Sequence, residues 1–262
     1  MSARHLALSP QRTSTAELLD VAAARRGMVS VEVSHPVPEQ LAGACHYYGG
    51  PLFADKVAPA LGLALLEPHD AWLPGLPPEL TGRTIEAMSL GDARRLRHPM
   101  FVKPPSDKGF EAGVYADGTR LPGPDKLPAR TPVQVSEIVT FAREYRLFVL
   151  DGEVRAASRY AVFGRLDAAP VDEDPERDAV LGFAEDVLGA AADSLPSAVV
   201  VDVGLITPAD RHDSQWAVVE ANMAWFANSY AADPDRVLDV VLAAAHPARE
   251  TAERDRDFVR RV

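Results

Sequence analysis

The chain has 262 residues, of which 47% are hydrophobic and 25% charged, and its formal net charge is -11. This composition is that of a globular protein with a sizeable core, and the negative charge argues against a nucleic-acid backbone as the main partner. The sequence contains neither an apolar run as long as a membrane span nor a signal peptide, and its single cysteine, Cys45, excludes an internal disulfide. We therefore expect a cytoplasmic protein with no membrane partner.

The first 82 residues alternate between predicted strands and helices. Strands are predicted for HLALS, MVSVEVS, ACHYYGG and LALLEP, and helices for the segments that begin at Ser14 and Pro51. Ser14 and Glu17 have the spacing of a helix capping box. Such alternation is typical of a small parallel α/β unit of Rossmann-like type, and without a GxGxxG motif no dinucleotide site is predicted.

The rest of the chain mixes helix and strand patterns. TIEAMSLGDARRLR is predicted to be a helix, and strands are predicted on both sides of the loop in HPMFVKPPSDKGFEAGVY and in VQVSEIVTF. From Glu144 two β-rich runs flank Asp151-Gly152, a favoured hairpin turn. PERDAVLGFAEDVLGAAAD is an amphipathic helix, SAVVVDVGLI and WAVVEANM are strands, and the charged tail after Arg249 is predicted to be a frayed helix.

Three polar side chains interrupt the last two apolar strands. Asp202 lies within VVVDVGLI, whereas Glu220 and Asn222 lie two residues apart in VVEANM and so share one face of a strand. A buried carboxylate needs a compensating partner. If the strands pair, two carboxylates and an amide oxygen converge into a site suited to Mg²⁺, and a structural ion pair with an arginine is the alternative.

Cationic residues lie near these strands in the predicted order. Only four residues are lysines, and Lys103 and Lys108 enclose a short loop before Gly109, which suits phosphate binding, a solvated turn being the alternative. In the following hairpin Glu144 is interpreted either as a ribose ligand or as the partner of an exposed arginine. The same hairpin carries three arginines, Arg146, Arg155 and Arg159.

Taken in order, FVKPPSDKGFEAG, SEIVTFAREYRLFV, VRAASRY, DVG and VEAN resemble the motifs of ATP-grasp enzymes. SEIVTF followed by EYRLFV is similar to the small clade named for an arginine and two lysines. The resemblance spans about 120 residues and implies an α/β (α+β) chain with the ATP-grasp fold, in which two lobes clamp a nucleotide. The implied division is a Rossmann-like subdomain over 1–82, a small lobe with a phosphate-binding flap over 83–136, a C-terminal lobe with the metal site over 137–248 and a charged tail over 249–262.

The resemblance also implies roles for individual residues. Those implied to bind ATP are Lys103, Arg83, Glu137, Ile138, Val139, Glu144 and Arg155, of which Arg83 is matched by position alone. Those implied to bind Mg²⁺ are Asp202, Glu220 and Asn222. Those implied to act on the γ-phosphate or on an acyl phosphate are Arg159, Arg146 and Lys108, the last lying in a flap over Pro105–Gly113.

The implied function is an ATP- and Mg²⁺-dependent ligase that activates a carboxylate as an acyl phosphate and joins it to an amine, releasing ADP and phosphate. Its partners are then small carboxylates and amines of amino acid or peptide type, in a pocket near CHYYGG and MAWFANSY. Two alternatives stay open, a kinase or phosphotransferase on the same scaffold and a non-catalytic nucleotide-binding protein. Cys45 next to His46 is not interpreted as a nucleophile because no third orienting group is evident, and no pattern indicates an oligomeric state.

Overall fold

The computed structural model describes residues 5–105, 109–206 and 214–261, apart from the side chain of Ala192. Its helices are α1 (Ser14–Arg25), α2 (Pro51–Leu61), α3 (Pro78–Thr81), α4 (Leu90–Ala93), α5 (Arg177–Ala191) and α6 (Pro234–Ala244). Its strands are β1 (His5–Leu8), β2 (Val29–Glu32), β3 (Cys45–Tyr48), β4 (Leu63–Leu65), β5 (Ile85–Ser89), β6 (Met100–Lys103), β7 (Gly113–Tyr115), β8 (Pro132–Ser136), β9 (Phe141–Leu150), β10 (Glu153–Val162), β11 (Arg165–Pro170), β12 (Ala198–Ile206), β13 (Gln215–Asn222) and β14 (Ala245–Pro247).

The N-terminal unit is the predicted parallel α/β layer, with strand order β2-β1-β3. Helix α1 is capped by Thr13, one residue before the predicted cap Ser14, because Oγ1 of Thr13 accepts a hydrogen bond from the amide of Ala16 at 3.1 Å. Helix α6, which was not predicted, packs against α1. Strand β4 stays outside the parallel layer and pairs antiparallel with β14.

A four-stranded antiparallel sheet of order β5-β8-β6-β7 forms the next layer. Here the predicted helix TIEAMSLGDARRLR is wrong: its first half is β5, which pairs with β8, and only α4 is helical. Ser89 ends the strand and caps α4, since its Oγ accepts a hydrogen bond from the amide of Asp92 at 3.1 Å. Pairing with a distant strand has thus overridden local helix propensity.

The largest sheet has the order β11-β10-β9-β12-β13. Asp151 and Gly152 form the predicted β9–β10 turn, with φ of 53° and 78°. Helix α5 covers one face of the sheet, where the apolar residues of β9 and β12 are buried. The other face packs at one end against the N-terminal core through Phe148 and Val200, and further along it presents Glu144, Arg146 and Asp202. This polar stretch is the floor of the site described below.

Register shifts decide which side chains reach that polar face. In β10 the pairing with β9 shifts between Val154 and Ala156, so Arg155 is an extra residue and the side chains of 156–159 change face relative to a regular hairpin. As a result Ser158, not Ala157, lies opposite Arg146, and the register shifts again between Arg159 and Ala161. Another shift, after Asp202 in the pairing of β12 with β13, leaves Asp202 directly opposite Glu220.

The residues after Arg249 are ordered against the body of the protein and do not form the predicted frayed helix. Glu253–Phe258 is a 3-10 segment in which Phe258 is buried. The ring of Phe258 lies 4.6 Å from that of His69, and Leu66 forms an isolated bridge with Val259. The tail therefore braces the segment that leads from the N-terminal unit to β5. Among the described residues, no helix has the length and apolarity needed to span a membrane.

Candidate functional site

A cavity of about 300 Å³ lies between the four-stranded and the five-stranded sheets. This volume is at the lower end of the range for small-molecule sites. Six of the seven residues predicted to bind nucleotide line it, and so does Glu220: the six are Arg83, Lys103, Glu137, Ile138, Val139 and Glu144. The structure thus brings together side chains that lie up to 137 positions apart in the sequence.

One end of the cavity is formed by the connection between β8 and β9. Glu137 fixes this connection to the start of β5, because its Oε2 accepts a hydrogen bond from the amide of Thr84 at 2.7 Å and its own amide donates to the Thr84 carbonyl at 3.2 Å. Apolar side chains from both sheets complete the walls, namely Ile85, Phe101, Val114 and Phe141. This end has an apolar slot beside exposed backbone, which is suited to a planar ring.

The opposite end carries an ion pair between Lys103 and Glu220. Lys103 is the last residue of β6, and its Nζ donates to Oε2 of Glu220. Burial by itself would raise the pKa of Glu220, but the Lys103 ammonium and the Asn222 amide together lower that pKa to about 2. Glu220 is therefore a carboxylate at neutral pH.

A second ion pair lies beside it on the floor of the site. Arg146 holds Asp202 through two hydrogen bonds, from Nε to Oδ1 at 2.9 Å and from Nη2 to Oδ2 at 2.7 Å. Burial disfavours the charged guanidinium, yet the Asp202 carboxylate raises the pKa of Arg146, so the arginine stays charged. The ion pair that the sequence left as an alternative for Asp202 is thus present.

The three predicted metal ligands form one cluster. Nδ2 of Asn222 donates to Glu220 Oε1 at 2.9 Å and to Asp202 Oδ2 at 3.3 Å. No group of three or more His, Cys, Asp and Glu side chains within the described ranges could hold a metal ion, but this cluster consists of two carboxylates and an amide. The two carboxylates are hard oxygen donors that fit Mg²⁺, which commonly takes one or two carboxylates and completes its shell with phosphate oxygens and water, while the Asn222 amide donates to both of them.

Arg83 lines the cavity but is bound by the protein itself. Its Nη1 donates to the carbonyls of Thr81 at 2.9 Å and Val218 at 2.8 Å, and its Nη2 donates to that of Val219 at 3.2 Å. Its Cζ lies 5.3 Å from the ring centre of Phe141. Burial lowers the pKa of Arg83 to about 10, which still leaves it charged at neutral pH. Arg83 ties the strand β13 to the segment before β5.

Two predicted residues lie away from the observed cluster. Arg159 lies on the α5 face of the sheet, where it binds Asp174 and Asp167, because the bulge at Arg155 has turned it away from Arg146. Arg155 itself is exposed near the hairpin turn, 3.8 Å from Glu153. The bulge therefore corrects the predicted positions of both arginines. Lys108, the other residue predicted to act on a phosphate, lies outside the described residues, as do Ser106 and Asp107 of the predicted flap.

Tyr160, and not the predicted Arg159, contacts Glu144 and Arg146 on the polar face of the largest sheet. Its phenol donates to Glu144 Oε2 at 2.8 Å, and its ring stacks on Tyr230 at 5.1 Å. The guanidinium of Arg146 lies 5.6 Å from the ring centre of Tyr160 and 5.2 Å from that of Tyr230. The sequence signal that could have identified Tyr160 is its two-residue spacing from Ser158, but the face of that pair depends on the bulge.

Three aromatic residues of CHYYGG and MAWFANSY, the segments near the expected acceptor pocket, belong to the core. Tyr47, Tyr48 and Trp225 are buried, and Nε1 of Trp225 donates to the carbonyl of Leu66 at 2.8 Å. Tyr230, which ends MAWFANSY, instead packs against the guanidinium of Arg146. Cys45 is also buried, and burial raises the pKa of its thiol to about 11, which disfavours the reactive thiolate.

A sequence model of the ATP-grasp domain, family 2 of the clade named for an arginine and two lysines, matches residues 80–240, which is more than half of the chain. The chain belongs to this ATP-grasp family. No curated protein matches the sequence. The matched range contains every residue of the polar cluster and of the large cavity except Leu73.

Solved structures share the ATP-grasp fold of this family member. An ATP-grasp RimK domain protein from Sphaerobacter thermophilus superposes with a TM-score of 0.52 at 17% identity, covering 92% of this chain and 100% of the other. A D-alanine–D-alanine ligase from Bacillus anthracis superposes with a TM-score of 0.53 at 10% identity, covering 93% of this chain and 97% of the other. The predicted fold class is thereby confirmed.

Proposed function

We propose that this ATP-grasp protein is an ATP- and Mg²⁺-dependent ligase that activates a carboxylate as an acyl phosphate and joins it to an amine. The observation that carries the proposal is the arrangement of the large cavity. One end offers an apolar slot beside the Glu137–Val139 connection, and the other ends at two carboxylates, an amide and two cations. A nucleoside triphosphate has this same succession of apolar base, polar sugar and anionic phosphates.

In the proposed complex the adenine lies against Glu137–Val139 and the ribose hydroxyls bind Glu144. Tyr160 already occupies one oxygen of Glu144, so the remaining acceptor capacity of that carboxylate is available to the sugar. Lys103 contacts the phosphates as a compact cation. The predicted subdomain limits at 82 and 136 remain part of this proposal, with the cavity between the two lobes.

Glu220, Asn222 and Asp202 are the residues that would hold Mg²⁺, which supplies charge neutralisation for the phosphates. Each carboxylate has a cationic partner, Lys103 for Glu220 and Arg146 for Asp202. The proposed site for metal and phosphate would therefore contain two carboxylates, each paired with a cation. This arrangement suits phosphoryl transfer, because the fixed cations would stabilise negative charge on the transferred group while the carboxylates would serve as metal ligands.

The proposed chemistry has two balanced steps. A carboxylate oxygen of the substrate attacks the γ-phosphorus, the bond to the β,γ-bridging oxygen breaks, and ADP leaves with that electron pair. The amine nitrogen then attacks the acyl carbon, the carbon–oxygen bond to phosphate breaks, and the amine proton passes to solvent as inorganic phosphate departs. We propose Arg146 as the contact of the transferred phosphoryl group, and Arg159 is no longer proposed for this role.

The test is ADP release by the purified protein with Mg-ATP over a panel of amino acids and dipeptides. We expect release to depend on both an added carboxylate and an added amine, and to be lost in Glu220→Gln. Release that needs an acceptor hydroxyl or phosphate but no amine would support the kinase alternative. Nucleotide binding without release under any combination would support a binding protein.

A further inference from the structure

The carboxylates of Glu220 and Asp202 each accept hydrogen bonds from side chains on both of their oxygen atoms. Arg146 donates to the two oxygens of Asp202, from Nε to Oδ1 at 2.9 Å and from Nη2 to Oδ2 at 2.7 Å. On Glu220, Asn222 donates to Oε1 at 2.9 Å and Lys103 donates to Oε2. The proposed metal ligands are thus bound by donors of the protein itself, and a metal ion has to compete with these donors.

The charges of this set also balance. Two carboxylates face two cations in the two ion pairs. Farther along the wall of the large cavity, Arg83 and Glu144 add one charge of each sign. A divalent cation that arrives alone would therefore add positive charge to a neutral, partly buried set and be repelled by the cations already there. The phosphates of a nucleotide carry the negative charge that would restore the balance.

Of the two cations, Lys103 is the more easily displaced. Arg146 is fixed by two hydrogen bonds to Asp202, whose side chain is 1% exposed, and its guanidinium lies over the rings of two tyrosines. The Lys103 ammonium makes a single hydrogen bond within the described ranges, to Glu220, whose side chain is 33% exposed. It lies at the end of a flexible four-carbon chain. The ion pair at Glu220 is therefore the one that can open.

We propose that the Lys103 ammonium is an internal competitor of the metal, which keeps divalent cations from Glu220 until the phosphates of a nucleotide draw it away. This inference rests on the proposed function for the nucleotide and the metal as ligands of the site. It goes further by assigning Lys103 two alternating partners, Glu220 and a phosphate. Metal and nucleotide then bind cooperatively, because each neutralises a charge that opposes the other.

Removal of the Lys103 charge should therefore strengthen metal binding without any nucleotide. A lysine whose only role is to hold Glu220 in place would have the opposite effect. Its loss would leave the carboxylate less well positioned, and metal binding would stay the same or weaken. The sign of the change in metal affinity thus separates the two roles.

The test titrates the purified full chain with Mn²⁺ alone and follows the loss of the free-ion signal by electron paramagnetic resonance. Mn²⁺ takes the same oxygen ligands as Mg²⁺. Lys103→Met removes the charge, and Lys103→Arg keeps it. Lys126→Met is the matched control, because it makes the same substitution at an exposed lysine. Lys103→Met combined with Glu220→Gln shows whether the additional ion lies at Glu220.

We expect Lys103→Met to bind Mn²⁺ at least about tenfold more tightly than the wild type, and Lys103→Arg and Lys126→Met to bind it no more tightly. The double variant should lose the gain. Equal or weaker binding by Lys103→Met would overturn the proposal, as would a gain that survives Glu220→Gln.

The wild type alone provides a second test that needs no variant to fold. Saturation of the wild type by about 10 μM Mn²⁺ without nucleotide would overturn the proposal, because the site would then be open to metal while Lys103 is present. Weak binding in that range is the expected result. Because these titrations need neither nucleotide nor turnover, a lack of ADP release would count against the ligase proposal and leave this result intact.

Discussion

The phenol of Tyr160 donates a hydrogen bond to Glu144 Oε2 at 2.8 Å. Because the guanidinium of Arg146 lies over the Tyr160 ring, this bond connects the large cavity with the Arg146–Asp202 ion pair. Tyr160 lines the cavity itself, and its ring stacks on Tyr230 beneath the guanidinium of Arg146. The orientation of Glu144 thus depends on a side chain that also packs against the predicted γ-phosphate ligand.

Tyr160→Phe should weaken ATP binding by about tenfold, because Glu144 loses a charge-assisted hydrogen bond and is no longer held toward the ribose. Calorimetric titration with ATP and with 2′-deoxy-ATP measures the effect. We expect the preference for ATP over 2′-deoxy-ATP to fall in the variant. Tyr230→Phe keeps the stacked ring and serves as the matched control, with little expected change. Equal losses in both variants would argue against a specific role for the Tyr160 hydroxyl.

Glu220→Gln should remove the effect of magnesium on nucleotide affinity. In the wild type we expect Mg²⁺ to tighten ATP binding by at least about tenfold, because Glu220 and Asp202 would hold the ion and the ion would neutralise phosphate charge. The variant loses one of two ligand charges, and its affinity should be nearly the same with Mg²⁺ or with a chelator. Glu153→Gln, at the exposed hairpin turn, is the control. A full magnesium response in Glu220→Gln would place the metal elsewhere.

Arg159→Gln should reduce stability and leave nucleotide binding unchanged. Arg159 binds Asp174, a carboxylate with 0% side-chain exposure, on the α5 face of the sheet. Removing this partner should lower the free energy of unfolding by about 2 kcal/mol, less than for a fully buried pair because the arginine is partly exposed. Urea denaturation and ATP titration give the two values. Weakened ATP binding with unchanged stability would contradict the position of Arg159.

Cys45 should resist alkylation in the native protein at pH 8. Burial raises the pKa of its thiol to about 11, so the thiol stays protonated there and becomes reactive only as the pH approaches that value. Iodoacetamide labelling followed by mass spectrometry should modify Cys45 quickly in urea and slowly without it. We expect Cys45→Ala to keep ADP release within about twofold of wild type. Rapid labelling of the native protein at pH 8 would reopen the hypothesis of a cysteine nucleophile.

The polar cluster could be predicted because its signals are local. Glu220 and Asn222 lie two residues apart in an apolar strand, and Asp202 interrupts the neighbouring apolar strand, so the sequence predicts a shared polar face if the two strands pair. The pair Asp151-Gly152 likewise predicts the hairpin turn. These features need no knowledge of the rest of the fold.

The parts that the sequence could not predict depend on nonlocal geometry. One extra residue at Arg155 reverses the face of Arg159, a second register shift follows at Tyr160, and nothing in the composition of β10 marks either. Residues 85–89 have helix-compatible side chains, but pairing with β8 made them a strand.

If ATP phosphorylates a carboxylate before an amine attacks it, an oxygen atom of that carboxylate ends up in the released phosphate, and isotope transfer detects it. The protein would be incubated with Mg-ATP and amino acids whose carboxylates carry oxygen-18, and the released phosphate examined by mass spectrometry. We predict phosphate carrying a single oxygen-18 atom, formed together with ADP and absent in Glu220→Gln. Unlabelled phosphate accompanying an amide product, or formation of AMP and pyrophosphate, would contradict the acyl-phosphate mechanism.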